Sequence, residues 1–156
     1  MERILKSAYH KQGYIEMKGT KFEVKPLPVT HCWPSVKKAK IHRGVEFYEP
    51  IKKDIQKNGM RHPIMVVHST WAQLIEQKEY WGDNMEPLPF WTAHLPKSHL
   101  NNMIYVVWGG SNRWYIANEL KYTHIDCAIM PSYSVAYNLQ KVMRAPYPQF
   151  YGGDPR

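Results

Sequence analysis

The chain has 156 residues, of which 44% are hydrophobic and 22% are charged, and it carries a formal net charge of +8. These proportions are those of an ordinary globular protein, and a chain of this length buries a core without disulfides or metals. The sequence contains no run of about 18 uncharged apolar residues, which a membrane helix requires, and its first residues do not resemble a secretory leader. We therefore expect one cytoplasmic domain without a membrane partner.

The positive charge is distributed unevenly along the chain. Residues 1–67 contain fourteen Lys or Arg and six Asp or Glu, whereas residues 68–156 contain seven of each. Such an asymmetry favours a polyanionic partner, either nucleic acid or the phosphates of a nucleotide, and a merely solvated basic face is the alternative. The cations that we assign to this basic patch are Lys37, Lys38, Lys40, Arg43, Lys52 and Lys53.

The two cysteines, Cys32 and Cys127, are too few for a disulfide framework or a zinc cluster, so we expect both to be free thiols. Among the eight histidines, the pair His94 and His99 has the most regular spacing, but it matches no metal-binding pattern. A metal site made of histidine and cysteine alone is therefore not predicted.

The first predicted elements in chain order are an arm and a strand. Residues 1–21 are basic and are interrupted by two glycines, which predicts a poorly defined N-terminal arm. Residues 22–29 alternate between apolar and polar side chains and include Pro26 and Pro28. Because proline cannot donate a hydrogen bond to a strand ladder, we expect this segment to be a short edge strand.

A helix and a buried strand are predicted next. Residues 48–58 have a helical pattern, with Pro50 suited to the first turn and Gly59 suited to the position after the last turn. The run 63–67 is continuously apolar, which is typical of a strand that is covered on both faces.

Residues 69–102 are a long insertion between two predicted strands, and only 70–78 has a helical pattern. A connection of about 34 residues is far longer than usual, and long connections are often lids or binding elements. The alternative is an insertion that simply buries its own aromatic side chains. These aromatic residues are Trp71, Tyr80, Trp81, Phe90 and Trp91.

The remaining predicted elements are a strand at 103–108, a helix at 111–121, a strand at 124–130 and a helix at 132–144. Together with the earlier elements they predict a mixed α/β fold, in which a small sheet is flanked by helices. We expect a single domain over 22–144, followed by a flexible tail at 145–156.

The turn Gly109-Gly110-Ser111-Asn112-Arg113, here called the glycine turn, carries the strongest chemical signal in the sequence. Two glycines between a strand and a helix let the backbone approach a ligand without an intervening Cβ. The helix N-terminus then offers unpaired N–H groups and the positive end of the helix dipole, which together favour an anion.

Arg113 sharpens this prediction. A cation in the first helical turn is at the unfavourable end of the dipole, at a cost of up to about 1 kcal/mol. Because Arg113 lies three and four residues before the apolar Ile116 and Ala117, its side chain is expected to point inward. An inward guanidinium is well matched to a phosphate. In the alternative, Ser111 is a plain N-cap and Arg113 pairs with a carboxylate.

Five pieces of the sequence occur in a recognisable order between about 27 and 131, interrupted by the insertion at 69–102. They are Leu27-Pro28-Val29, the helix 51–59, Pro63-Ile64-Met65-Val66, the glycine turn and the strand 125–129. This order resembles the ParB/sulfiredoxin superfamily. The resemblance implies a compact ParB/sulfiredoxin-like fold and a nucleotide, ATP or CTP. It also implies that the phosphates are bound by Gly109, Gly110, Ser111, Asn112 and Arg113.

The sequence departs from the superfamily pattern at two positions. Asp54 stands where members usually carry a Ser or Thr that reaches the phosphates, and a carboxylate there could hold Mg²⁺ instead. Glu49 is the second candidate for a metal ligand or base. Ser111 takes the place of the cysteine nucleophile of the sulfiredoxin branch, so we expect no sulfinic acid repair.

These observations leave three functions open. The first is a nucleotide-dependent enzyme, a Mg²⁺-dependent phosphotransferase or nucleoside triphosphatase that uses the glycine turn. The second is a ParB-like DNA-binding or nuclease module that uses the basic patch, without the helix-turn-helix domain of partition proteins. The third is an inactive adaptor of a phage or mobile element.

Overall fold

A computed structural model describes residues 2–34, 45–76 and 100–144. These residues form a mixed α/β fold in which a seven-stranded sheet is flanked by helices. The predicted fold class is therefore confirmed. Most of the aromatic insertion and the C-terminal tail lie outside the described residues.

The strands are β1 (Ile4–Leu5), β2 (Tyr14–Met17), β3 (Thr20–Pro28), β4 (Cys32–Pro34), β5 (Ile64–Thr70), β6 (Met103–Gly109) and β7 (His124–Met130). The sheet has the strand order β2-β3-β7-β5-β6-β4, and β1 pairs with the first two residues of β7. Apart from β2 and β3, strands that are neighbours in the sheet come from distant parts of the chain.

Helices cover both faces of the sheet and create a core on each side. The helices are α1 (Val45–Asn58), α2 (Trp71–Glu76), α3 (Ser111–Glu119) and α4 (Tyr133–Arg144). Along β5, Ile64 and Val66 pack in the core shared with α1 and α3, whereas Met65 and Val67 pack in the core shared with α4. Because both faces of β5 are covered over residues 64–67, this part of its sequence is continuously apolar, as predicted, whereas His68 is exposed.

The predicted N-terminal arm is wrong as a description of residues 4–5 and 14–17, because these residues form β1 and β2. β2 and β3 make an antiparallel hairpin in which Ile15 pairs with Phe22. The turn between them has positive φ at Lys18, 51°, and at Gly19, 82°. A pair of positive φ values is the geometry that matches the twist of a two-residue hairpin. The glycine that we interpreted as an interruption is thus part of a hairpin turn.

β3 differs from the predicted short edge strand, since it has nine residues and lies between β2 and β7. The ladder with β2 covers residues 20–23, whereas Pro26 and Pro28 pair only across the other side, with β7. Val29 N donates to Thr123 O at 2.9 Å, so the Val29 N–H points toward the β7 side. In an antiparallel ladder the N–H groups of alternate residues point to opposite sides, so the nitrogens of Pro26 and Pro28 face away from β7. The C-terminal half of β3 is therefore an edge, and this half tolerates proline.

α1 begins at Val45, three residues before the predicted start, so Pro50 lies inside the helix rather than in its first turn. A proline at that place removes one intrahelical hydrogen bond. The C-terminal prediction is confirmed, because the helix ends at Asn58 and Gly59 has a φ of 71°. The Gly59 N–H donates to Ile55 O at 2.9 Å.

The start of the insertion forms α2, within the predicted helical stretch 70–78. Trp71 and Leu74 are buried against Val106 of β6, and the Trp71 ring meets Trp33 edge-on at 5.2 Å. This part of the insertion buries its own aromatic side chain. The proposed lid is the whole insertion 69–102, and its residues 77–99 are outside the described residues.

Cys32 and Cys127 are both free and buried, as predicted. Burial raises the pKa of the Cys127 thiol, and the neighbouring Cys32 adds to the shift. In the parts of the chain that the structure describes, no helix is long and apolar enough to cross a membrane.

We expect Cys127 to be unreactive in the folded protein, because a raised pKa keeps it as the thiol at neutral pH and the thiolate is the nucleophile. Native protein treated with iodoacetamide at neutral pH should carry no alkyl group at Cys127 by peptide mass spectrometry. After unfolding in guanidinium chloride the same site should react fully. Alkylation of the native protein as fast as of the unfolded protein would contradict this expectation.

Candidate functional site

The glycine turn connects β6 to α3, and Gly110 is the position at which its geometry requires glycine. Gly110 has a φ of 99°, in the left-handed region, and directly precedes the first residue of α3. A Cβ at Gly110 would lie 2.6 Å from Arg113 Nη2 and 2.7 Å from Ile64 Cγ2. A Cβ at Gly109 would lie 2.5 Å from Met65 Cε. The turn therefore lies directly against β5 and against the guanidinium of Arg113.

Gly110→Ala is expected to lower the free energy of unfolding by about 2 to 4 kcal/mol, the sum of left-handed strain and overpacking. The measurement is the midpoint of urea unfolding. Gly13→Ala is a matched control, because Gly13 has a similar φ of 81° but no atom within 4 Å of its added Cβ. It should lose only about 1 kcal/mol. Equal losses in the two variants would mean that the contacts with Ile64 and Arg113 do not matter.

Arg113 is buried, with 5% of the residue exposed, and this confirms its predicted inward direction. Its Nη1 donates to His62 O at 2.6 Å and to Pro63 O at 3.4 Å. Both acceptors are backbone carbonyls just before β5. These two contacts fix the orientation of the guanidinium.

α3 is anchored firmly enough to hold the turn in place. Trp114 N donates to Gly110 O at 3.0 Å, and this is the first backbone bond of the helix. The indole Nε1 of Trp114 donates to Val29 O at 3.2 Å, and Ile116 and Ala117 are fully buried. The first backbone N–H groups of α3, which have no acceptor within a helix, therefore occupy a fixed position beside Arg113.

Ser111 and Asn112 are half-buried at the start of α3. The Oδ1 atom of Asn112 is buried and has no hydrogen-bond partner among the described residues. The oxygen and nitrogen of an asparagine amide exchange places on a rotation of the side chain, so this position can present either an acceptor or a donor.

A narrow cavity of about 20 Å³ lies beside Arg113, enough for on the order of one water molecule. Arg113 gives this cavity a positive charge. The other residues that line the cavity are Ile15, Met17, His62, Pro63, Met65, Gly109 and Ala128. Sequence reasoning missed the contribution of β2, because that segment was interpreted as an arm. The Lys18-Gly19 turn between two alternating runs was the signal that could have identified it.

The two carboxylates predicted as metal ligands or bases do not line this cavity. Asp54 Oδ1 accepts a hydrogen bond from Asn58 Nδ2 at 2.8 Å, one turn along α1. Glu49 lies on the same helix, beside Tyr48. Within the described ranges no cluster of three or more His, Cys, Asp or Glu side chains could hold a metal ion. The residues at the cavity therefore do not fit a Mg²⁺ site, and Mg²⁺ remains a sequence-based prediction.

The basic patch is described only in part, because Lys37, Lys38, Lys40 and Arg43 lie outside the described residues. Lys53 is exposed on α1. Lys52 forms an ion pair with Glu119, with Nζ and Oε1 3.1 Å apart. Glu119 also accepts a hydrogen bond from the Tyr48 hydroxyl, at 2.6 Å. Burial, followed by this hydrogen bond, raises the pKa of Tyr48 far above its ordinary value.

No protein-family model and no curated protein sequence matches this chain. Among solved structures, the crystal structure of sulfiredoxin from Arabidopsis thaliana is similar to it, with 13% sequence identity and a TM-score of 0.42. The alignment covers 74% of this chain and 94% of that chain. A likeness of this size says nothing about activity, so the functional argument rests on the residues of this chain.

Proposed function

We propose that the glycine turn binds the phosphates of a nucleotide, ATP or CTP, and that the chain transfers or hydrolyses the terminal phosphoryl group. One observation carries this proposal. A guanidinium that is 95% buried lies beside a cavity, in the first turn of a helix that follows two glycines. A positive charge and the unpaired N–H groups of a helix N-terminus are both features of a phosphate site.

Electrostatics support an anion rather than a neutral ligand. The guanidinium of Arg113 and the dipole of α3 are both positive at this place, and each raises the electrostatic cost of the other. A phosphate would lower both costs at once, because it accepts hydrogen bonds from Arg113 and from the first amides of α3. Bonds of this charged kind are each worth about 1.5 to 3 kcal/mol.

The size of the cavity defines how a phosphate would lie. A volume of about 20 Å³ admits one oxygen atom beside Arg113, so the phosphorus and the other oxygens would lie outside the cavity. The proposal places them at the amides of Ser111 and Asn112, which do not line the cavity. Charge on the equatorial oxygens of a transferring phosphoryl group would then be stabilised by groups that are already oriented. Such preorganised stabilisation is the main contribution of proteins to phosphoryl transfer.

The proposal is tested by equilibrium binding of radiolabelled ATP and CTP, and by release of labelled phosphate, with and without Mg²⁺. We expect micromolar binding of at least one nucleotide. Because recognition is directed at the phosphates, tripolyphosphate should compete for the site, whereas adenosine and cytidine should not. The absence of both binding and turnover, with ATP and with CTP, would refute the proposed function. The measurement without Mg²⁺ tests the metal prediction separately.

A further inference from the structure

An open groove of about 580 Å³ lies between β1 and the C-terminal end of α1, and it is far larger than the cavity beside Arg113. This groove, here called the β1 groove, is lined by residues 4–8, by residues 55, 56 and 58–61, and by Tyr122. Its volume falls within the range of about 300 to 1,000 Å³ that is usual for ligand sites. The groove and the cavity share no lining residue, so the proposed phosphate site does not use the groove.

The β1 groove carries positive charge. Lys6 and Arg61 line it, and no Asp or Glu is among the described residues that do so. Both cations are exposed, and neither forms an ion pair with a residue that the structure describes. Lys6 O accepts from Met60 N at 3.2 Å, so the two cations belong to neighbouring segments. Because like charges repel each other, an anionic ligand in the groove would be stabilised by both.

β1 also leaves one edge of its backbone unpaired. Ile4 lies opposite His124 in the parallel ladder with β7, and His124 N donates to Arg3 O at 3.1 Å. Alternate residues of a strand bond to the same neighbour, so Ile4 and Lys6 direct their N–H and C=O groups away from β7. Lys6 O is used by Met60 N. The N–H and C=O of Ile4 and the N–H of Lys6 have no partner among the described residues.

An extended polypeptide is the ligand that can use both features of the groove. The unpaired edge of a strand is a template for a further strand, and pairing at such an edge is a common mode of peptide recognition. A small anion would leave the backbone edge unpaired, and a nucleic acid has no alternating N–H and C=O groups to offer it. Acidic side chains on the peptide would supply the charge that complements Lys6 and Arg61.

We propose that the β1 groove binds an acidic peptide segment of a partner protein, which adds as a strand to the free edge of β1. Residues 4–8 span about 16 Å in extended conformation, so about five peptide residues match their length. This site is independent of the glycine turn, and its existence does not depend on the proposed nucleotide chemistry.

The probe for the test is a blocked, fluorescein-labelled peptide of about six residues, in which glutamate alternates with valine. Fluorescence anisotropy at low salt measures its binding to the full chain. We expect saturable binding that weakens as salt is added, because exposed charges are screened. The same peptide with lysine in place of glutamate should not bind.

Arg61→Glu tests the charge of the groove. We expect it to weaken peptide binding about tenfold at low salt, with an unchanged urea midpoint, since Arg61 is exposed and has no ion pair among the described residues. Lys53→Glu is the matched control. It changes the net charge equally, but Lys53 is an exposed residue that does not line the groove, so its affinity should equal that of the wild type.

Ile4→Pro tests the pairing of the backbone. It removes an N–H that bonds to nothing in the described fold, and proline is tolerated where the N–H of an edge strand faces outward. We expect the loss of one hydrogen bond to weaken peptide binding about fivefold. Ile4→Val, which keeps the N–H, should bind like the wild type.

Four results would overturn the proposal. The wild type does not bind the acidic peptide at low salt, or Arg61→Glu and Lys53→Glu weaken binding equally, which would report only the net charge of the chain. Equal affinities of Ile4→Pro and Ile4→Val would exclude strand addition. Oligothymidylate that binds more tightly than the peptide and loses this affinity in Arg61→Glu would make the ligand a nucleic acid. A dimer in sedimentation that Arg61→Glu dissociates would assign the groove to a second copy of the chain.

Discussion

Arg113→Ala is expected to weaken binding of ATP or CTP by about 100- to 1,000-fold. The change removes two charge-assisted hydrogen bonds, and a value near the low end of their range, about 1.5 to 2 kcal/mol each, gives a loss of about 3 to 4 kcal/mol. Each 1.4 kcal/mol corresponds to about a factor of ten. The measurement is isothermal titration calorimetry on wild type and variant. Urea unfolding of both proteins should accompany it, since the side chain also binds the carbonyls of His62 and Pro63.

Two controls separate the phosphate site from the basic patch. Arg113→Lys keeps the charge but loses the fork of donors, so it should bind more weakly than wild type and more tightly than Arg113→Ala. Replacing Lys37, Lys38 and Lys40 by Glu, which reverses their charge, should leave nucleotide binding unchanged. If the charge reversal removes binding while Arg113→Ala keeps it, the glycine turn is not the site. Loss of DNA retention in the charge-reversed protein would favour the nucleic-acid function instead.

Asp126→Ala is expected to lower the free energy of unfolding by about 3 to 5 kcal/mol. It leaves the Ser7 N–H, the Ser7 hydroxyl and His10 Nδ1 without their shared acceptor in a buried place. Buried donors without acceptors lose their hydration and receive nothing in return. The free energy of unfolding in urea measures the effect.

Glu23→Ala is the matched control for this prediction. Glu23 is also a carboxylate in the sheet, but its side chain is 64% exposed and its Lys25 partner is 4.0 Å away. Its removal should change stability by no more than about 0.5 kcal/mol. Asp126→Asn, which keeps the volume and one acceptor oxygen, should fall between the two. Similar losses for Asp126→Ala and Glu23→Ala would show that Asp126 does not anchor the segment after β1.

Features with a strong local signal could be predicted from the sequence. β5 was predicted because a strand covered on both faces is continuously apolar, and the burial of residues 64–67 agrees. The inward direction of Arg113 followed from its spacing to Ile116 and Ala117. Helical periodicity fixes such directions without reference to the rest of the fold.

Features that depend on distant partners could not be predicted in the same way. β4 has three residues and pairs with β6, where Cys32 lies opposite Tyr105. Three residues carry no periodicity, so no local pattern indicates such a strand. The bonds of Asp126 to Ser7 and His10 span 119 and 116 residues. An acidic residue inside the apolar run 124–130 was the one available hint, and it did not identify the partners.

The central claim is that Arg113 and the first amides of α3 bind phosphate, and a crystal structure with ATP or CTP and Mg²⁺ tests it most directly. We predict a phosphate oxygen within hydrogen-bond distance of the Arg113 guanidinium, and a second oxygen at the amides of Ser111 or Asn112. A nucleotide bound elsewhere on the chain, with Arg113 still bonded only to protein atoms, would contradict the claim.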